Sequence, residues 1–81
     1  MKTYTIILFY IYTHIDNPAE LMAQHKEMCS RLGLKGRMII AHEGLNATFE
    51  GESANIESYC DWLLSDARFK SIHIKRSAGN G

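Results

Sequence analysis

Proline occurs once in this chain, tryptophan once and cysteine twice, and neither sign of charge is in excess. Each shortage excludes something. So little proline, in a chain with 46% hydrophobic residues, is not the composition of a disordered segment. Nine basic side chains against nine acidic ones leave no global field that attracts nucleic acid, so such binding would need a local patch or a neighbouring domain. Cys29 and Cys60 stand too far apart for a metal-site spacing and make no disulfide framework. Both fall on apolar stripes of predicted helices, where cysteine usually serves as a small buried hydrophobe, and reduced thiols fit a cytoplasmic setting. No run of about 20 apolar residues is present, so no membrane span is expected. The stretch Ile6 to Tyr12 mimics a secretion signal, but tyrosines interrupt it and no small-residue cleavage site follows.

With 81 residues there is room for one small domain, which buries only about 60% of the surface its unfolded chain exposes. Thr3 to Tyr12 is rich in β-branched and aromatic residues and reads as a strand. Its apolar residues occupy both alternating faces, Tyr4, Ile6, Leu8 and Tyr10 against Ile7, Phe9 and Ile11, the pattern of a central strand. Asn17-Pro18-Ala19-Glu20 is a helix start, with a capping amide, proline at the first helical position and a capping-box glutamate. Leu21, Met22, His25, Met28, Cys29 and Leu32 then share one helix face, and Gly33 is a left-handed stop. Lys35 to His42 and Leu45 to Glu50 read as a hairpin ended by Gly51. Ser53 is the expected cap of a second helix whose stripe is Ile56, Tyr59, Cys60, Leu63 and Leu64, with Trp62 at its edge. Phe69 anchors the following loop, Ser71 to Arg76 forms a last strand, and Ser77 to Gly81 reads as a linker.

The order β-α-β-β-α-β predicts an α+β, ferredoxin-like sandwich: a four-stranded antiparallel sheet, first and third strands central, with both helices on one face. The other face stays open unless a partner covers it. Either Ile7, Phe9 and Ile11 or the tyrosine-bearing set lies there, and an apolar open face suggests docking to another domain or to a second copy.

Few constellations could carry chemistry. His25 and Cys29, four apart on one helix, could pair as base and thiol, although two core-facing residues would show the same spacing. His42-Glu43-Gly44-Leu45-Asn46 could supply an acid or base and an anion nest, or simply turn chemistry. Lys35, Arg37, Lys75 and Arg76 are the compact basic points that could meet phosphates, or else a solvated face. The predicted third strand has no Lys/Arg-Gly-aromatic pattern, which argues against an ordinary RNA-recognition motif. The loop Thr13-His14-Ile15-Asp16 lacks the glycine-rich, arginine-bearing cradle that acylphosphatases place there on the same fold.

Gly36-Arg37-Met38-Ile39-Ile40-Ala41-His42-Glu43-Gly44-Leu45-Asn46-Ala47-Thr48 resembles the Gly-x-(apolar run)-Ala-x-Glu-Gly-Ile-Asn-Gly-Thr signature of the rhodanese-like tRNA uridine hydroxylases. Asn17-Pro18, the passage Cys29 to Gly36, Trp62-Leu63 and Asp66-x-Arg68-Phe69 extend the resemblance over nearly the whole chain. Leu45 in place of isoleucine and Ala47 in place of glycine depart from it. The resemblance implies an amino-terminal, non-catalytic domain (residues 1–76, linker from 77) of a protein that hydroxylates the wobble uridine of tRNA with molecular oxygen. It further implies no cofactor in this chain. The implied partners are a carboxy-terminal rhodanese domain carrying the active cysteine and the tRNA anticodon region. Glu43, Gly44, Asn46 and Thr48 would face substrate or interface, and Lys35, Arg37, Lys75 and Arg76 would contact RNA phosphates. The competing expectation is an interaction module, with a homodimer formed through the open sheet.

Overall fold

The computed structural model describes residues 2–80. Its elements are β1 (Tyr4–Tyr12), α1 (Pro18–Leu32), β2 (Lys35–Ala41), β3 (Gly44–Glu52), α2 (Ser53–Leu64), a 3-10 turn (Ala67–Phe69) and β4 (His73–Ala78). The four strands form one antiparallel sheet in the order β2-β3-β1-β4. The ferredoxin-like α+β expectation holds, with the first and third strands central.

Local chemistry explains the element ends. Asn17 Oδ1 accepts from the Glu20 N–H at 3.1 Å and its amide donates to the Glu20 carboxylate at 3.3 Å, which satisfies the first turn of α1. At the other end Gly33 takes φ 68°, and the N–H groups of Gly33 and Leu34 reach the carbonyls of Ser30 and Cys29. That is a Schellman stop, in which a left-handed glycine closes the last carbonyls.

Several boundaries differ from the sequence expectation; β1 begins at Tyr4, β2 ends at Ala41 and β3 begins at Gly44, each one residue from it, and three differences are larger in consequence. Strand β3 runs through Gly51 to Glu52, because these residues pair with Thr5 and Tyr4 of β1. Ser53 therefore enters α2 as its first residue instead of capping it. Its hydroxyl lies 2.7 Å from that of Thr5 and accepts from Thr3 at 3.1 Å. Strand β4 begins at His73 and continues through Ser77 and Ala78, paired with Ile6 and Thr5, so these two residues are strand rather than linker.

The core fills the space between the helices and one sheet face. Ile7 and Phe9 of β1, Ala47 and Phe49 of β3, Ile56, Tyr59 and Leu63 of α2, and Leu21 and Cys29 of α1 are all buried there. Phe69 is fully buried, anchoring the loop as its position in the sequence suggested. The Tyr59 ring centroid sits 5.3 Å from Phe49 and 6.1 Å from Phe9, tying α2 to the two central strands.

Candidate functional site

The other face of β1 is the one left open. Residues directly opposite each other in antiparallel strands point to the same side, so the pairing register sorts the side chains into rows. One row reads Ile39, Asn46, Tyr10, His73, the next Arg37, Thr48, Leu8, Lys75, and the next Lys35, Glu50, Ile6, Ser77. All of these lie on the open face. Leu8 is 45% exposed, Ile39 64%, Tyr10 65% and Tyr12 86%. The tyrosine-bearing set, and not Ile7, Phe9 and Ile11, therefore forms the uncovered surface.

At one end of this face lies an open hollow of about 660 Å³, lined by Tyr10, Tyr12, Ile39, Glu43 and Asn46 among others. The hairpin turn shapes it. Ala41 pairs with Gly44 across the two-residue turn His42-Glu43, and Gly44 takes φ 150°, while no non-glycine residue among those described has a positive φ. A Cβ at Gly44 would run into the Ile11 carbonyl oxygen, so the close approach of β1 requires glycine here. The loop after β1 is sewn to the same turn. The Thr13 and Ile15 N–H groups donate to the carbonyls of Glu43 and His42 at 3.0 and 2.9 Å. His42 Nδ1 lies 2.9 Å from the Ile15 carbonyl, and since a carbonyl only accepts, that nitrogen carries the proton. The N–H groups of Thr13 and Ile15 are thus spent on the turn rather than turned toward an anion.

The structure places Asn46, Thr48, Lys35, Arg37 and Lys75 together on the open face, with Gly44 and Glu43 at its hairpin end. It separates Arg76 from them. Arg76 pairs with Ile7, pointing to the helix side, and its guanidinium donates twice to the Glu57 carboxylate at 2.9 and 3.0 Å. That contact holds the Glu57 carboxyl below its ordinary range. No ion pair engages Lys35, Arg37, Lys75 or Glu43 among the described residues. Sequence reasoning left Tyr10, Tyr12 and Ile39 out of the site, because apolar alternation on both sides of β1 does not say which side the helices cover.

The thiol readings end in the core. Both cysteines are free and buried, and burial pushes the Cys29 thiol up to about 11 and raises that of Cys60. A thiol so disfavoured as thiolate is a poor nucleophile. His25 engages Tyr59 instead, its Nδ1 2.8 Å from the phenolic oxygen, with the Trp62 ring 4.7 Å away. Burial drives the imidazole down to about 4, against a smaller opposing pull from Asp66. It is a neutral core histidine.

No helix among the described residues is long and apolar enough to cross a membrane. The fold is similar to that of a de novo designed protein, Foldit4, with a TM-score of 0.52 at 9% identity over all of this chain and 99% of that one. Residues 4–81 match the family model of the UPF0176 acylphosphatase like domain. The chain is 40% identical over 80 residues to a tRNA uridine(34) hydroxylase of Bacillus cytotoxicus, and 41% identical to those of Bacillus cereus and Bacillus anthracis. In each case the match takes in 99% of this chain but 25% of the relative, so the chain spans about a quarter of their length. The acylphosphatase likeness lies in the sheet and its two helices, and the chain belongs to the UPF0176 amino-terminal acylphosphatase-like domain family, whose curated relatives are tRNA uridine(34) hydroxylases.

Proposed function

We propose that this chain is the non-catalytic amino-terminal domain of an oxygen-dependent tRNA wobble-uridine hydroxylase. It helps dock the tRNA and packs on a rhodanese domain that performs the chemistry. One observation carries the reading: an open sheet face on which four large apolar or aromatic side chains are 45–86% exposed, bordered by Arg37 and Lys35 on one edge strand and Lys75 on the other. Apolar area of this kind marks a surface that another body covers. Cations at its borders that no ion pair engages among the described residues suit a phosphate backbone. The buried, protonated thiols leave this chain without a sulfur nucleophile of its own, in keeping with a supporting role.

The test separates support from chemistry. The 81-residue chain, incubated alone with tRNA under oxygen, should leave the wobble uridine unmodified, whereas the same chain joined to its downstream domains should yield 5-hydroxyuridine. Hydroxylation by the isolated chain would overturn the assignment. The exposed face also favours a second reading, a module that self-associates through its open sheet. Concentration-dependent dimerisation with no saturable response to an anticodon stem-loop would select that reading.

A further inference from the structure

The hairpin end of the open face combines three chemistries that the docking role alone does not require. Tyr10 and Tyr12 stand side by side, centroids 6.4 Å apart and planes at 68°, and both are largely exposed. Beyond this edge contact no ring pairs with either tyrosine among the described residues, and both line the hollow that Ile39 and Asn46 also line. Asn46 lies in the same row as Tyr10, one strand over, so an amide that both donates and accepts sits next to an aromatic face. Arg37 and Lys75 occupy the two ends of the adjacent row, on opposite edge strands. Three strand spacings of about 4.8 Å put their backbones about 14 Å apart. That is the reach of a short stretch of nucleotides rather than of one phosphate.

We propose that Tyr10 and Tyr12 form a stacking platform for unpaired bases of an RNA loop, with Asn46 reading a base edge and Arg37 and Lys75 holding backbone phosphates on either side. The inference rests on the tRNA-docking reading and sharpens it from a surface to a chemical class, single-stranded RNA. Every base offers a π-face to a tyrosine, whereas in a duplex those faces are already stacked on their neighbours. Charge in the row beside the tyrosines favours RNA over a second copy of the chain. Its charged members are Arg37 and Lys75, which a facing copy would repeat and phosphates would oppose. The carboxylate of the open-face rows, Glu50, lies one row further out and accepts from the Asn80 N–H. The three-row arrangement also explains why a domain with no net charge could still engage RNA: the cations border the aromatic rows while Arg76 is turned away onto Glu57.

The experiment uses this chain with two fluorescent probes, an anticodon stem-loop and a fully paired hairpin of equal length, at low and moderate salt. The unmodified chain should prefer the stem-loop. Tyr10→Ala combined with Tyr12→Ala should weaken stem-loop binding about tenfold or more and leave the paired hairpin unchanged, while phenylalanine at both positions restores it. Arg37→Gln with Lys75→Gln should weaken both probes and lower the logarithmic salt slope on the stem-loop by roughly 1.4. Both tyrosines are exposed, and circular dichroism confirms that each variant is folded. Stem-loop binding that is insensitive to the alanine pair overturns the stacking platform and leaves the docking reading standing. No binding of either probe by the unmodified chain overturns both. Tyrosine variants that change only sedimentation, and not RNA affinity, reassign the face to a second copy of the chain.

Discussion

Ile7 and Phe9 on one side of β1 are fully buried, while Leu8 and Tyr10, their neighbours in sequence, are 45% and 65% exposed. The two faces of this strand are about equally apolar in composition, so hydrophobicity alone did not decide which is covered. The decision lies in the helices. Each of α1 and α2 carries one apolar stripe, and right-handed crossovers bring both stripes to the same side of the sheet. The open side therefore keeps its tyrosines in water not because they are polar but because this chain supplies no third layer for them.

The sharpest way to break this comparison is a pair of neighbouring substitutions. Phe9→Ala should lower the unfolding free energy by about 3–5 kcal/mol, because it leaves a cavity among Phe49, Tyr59 and the central strands. For a domain of this size that is a large share of the total. Tyr10→Ala, one residue on, should change stability by no more than about 0.5 kcal/mol. Urea titrations of both variants measure the contrast. Equal losses would mean that the open face is packed in solution, and the division into two faces would fail.

The second prediction concerns the buried side alone. His25 titrates near 6.5 when unfolded and near 4 in the fold, where burial disfavours its charged form. Between those values the unfolded chain binds the extra proton and the native one does not, so stability falls as pH is lowered. The loss from this group should begin near pH 6.5, reach roughly 2–3 kcal/mol by pH 4 and then level off. His25→Gln should lose this dependence between about pH 6.5 and 5, because glutamine does not titrate. It should keep only the loss at lower pH that comes from carboxyls such as Glu57 and Asp66, which their arginine partners hold below the ordinary range. A wild-type profile that matches the variant's above about pH 5 would show that the imidazole is not held neutral.

Much of the fold was legible in the sequence, for local reasons. The asparagine-proline start, the glycine stop and the two helical stripes are short-range signals, and their order alone implies the sheet topology. What was not legible depends on contacts distant in sequence. Ser53 looked like a cap, but hydroxyls fifty and forty-eight residues away, on Thr3 and Thr5, claim its side chain. The spacing of His25 and Cys29 allowed a pair on one helix or two core-facing residues, and the structure shows the second, with His25 bonded to Tyr59 on the other helix. For the candidate site, the hairpin block lies at one end of the open face. Its meaning depends on Tyr10 and Tyr12, which only the strand register brings beside Asn46.

A third test addresses the hairpin corner that joins the two faces. Gly44→Ala should cost about 2 kcal/mol, since φ 150° is unfavourable for alanine and its methyl would meet the Ile11 carbonyl. Gly33→Ala should cost only about 1 kcal/mol: φ there is 68°, but nothing lies within 4 Å of the added carbon. Thermal melts of the two variants separate conformational strain from crowding. Equal losses would mean that β1 yields readily and that the corner is not rigid.

The smallest effect discriminates most finely. Lys75 and Arg76 are adjacent cations on one edge strand, and the sequence offered them together as phosphate contacts. The pleat sends them to opposite sides, Lys75 beside Leu8 on the open face and Arg76 beside Ile7 toward Glu57. Arg76→Gln should lower stability by at most about 1 kcal/mol, the scale of a partly exposed ion pair, with the loss shrinking as salt rises. It should leave stem-loop RNA affinity unchanged. Lys75→Gln should do the reverse, with stability altered by no more than a few tenths of about 1 kcal/mol and RNA affinity reduced. Because charge and chain position are nearly identical in the two variants, any difference between them must come from the face each side chain occupies. If both weakened RNA binding equally, a diffuse cationic field would suffice, and the ordered rows of the open face would lose their claim to specificity.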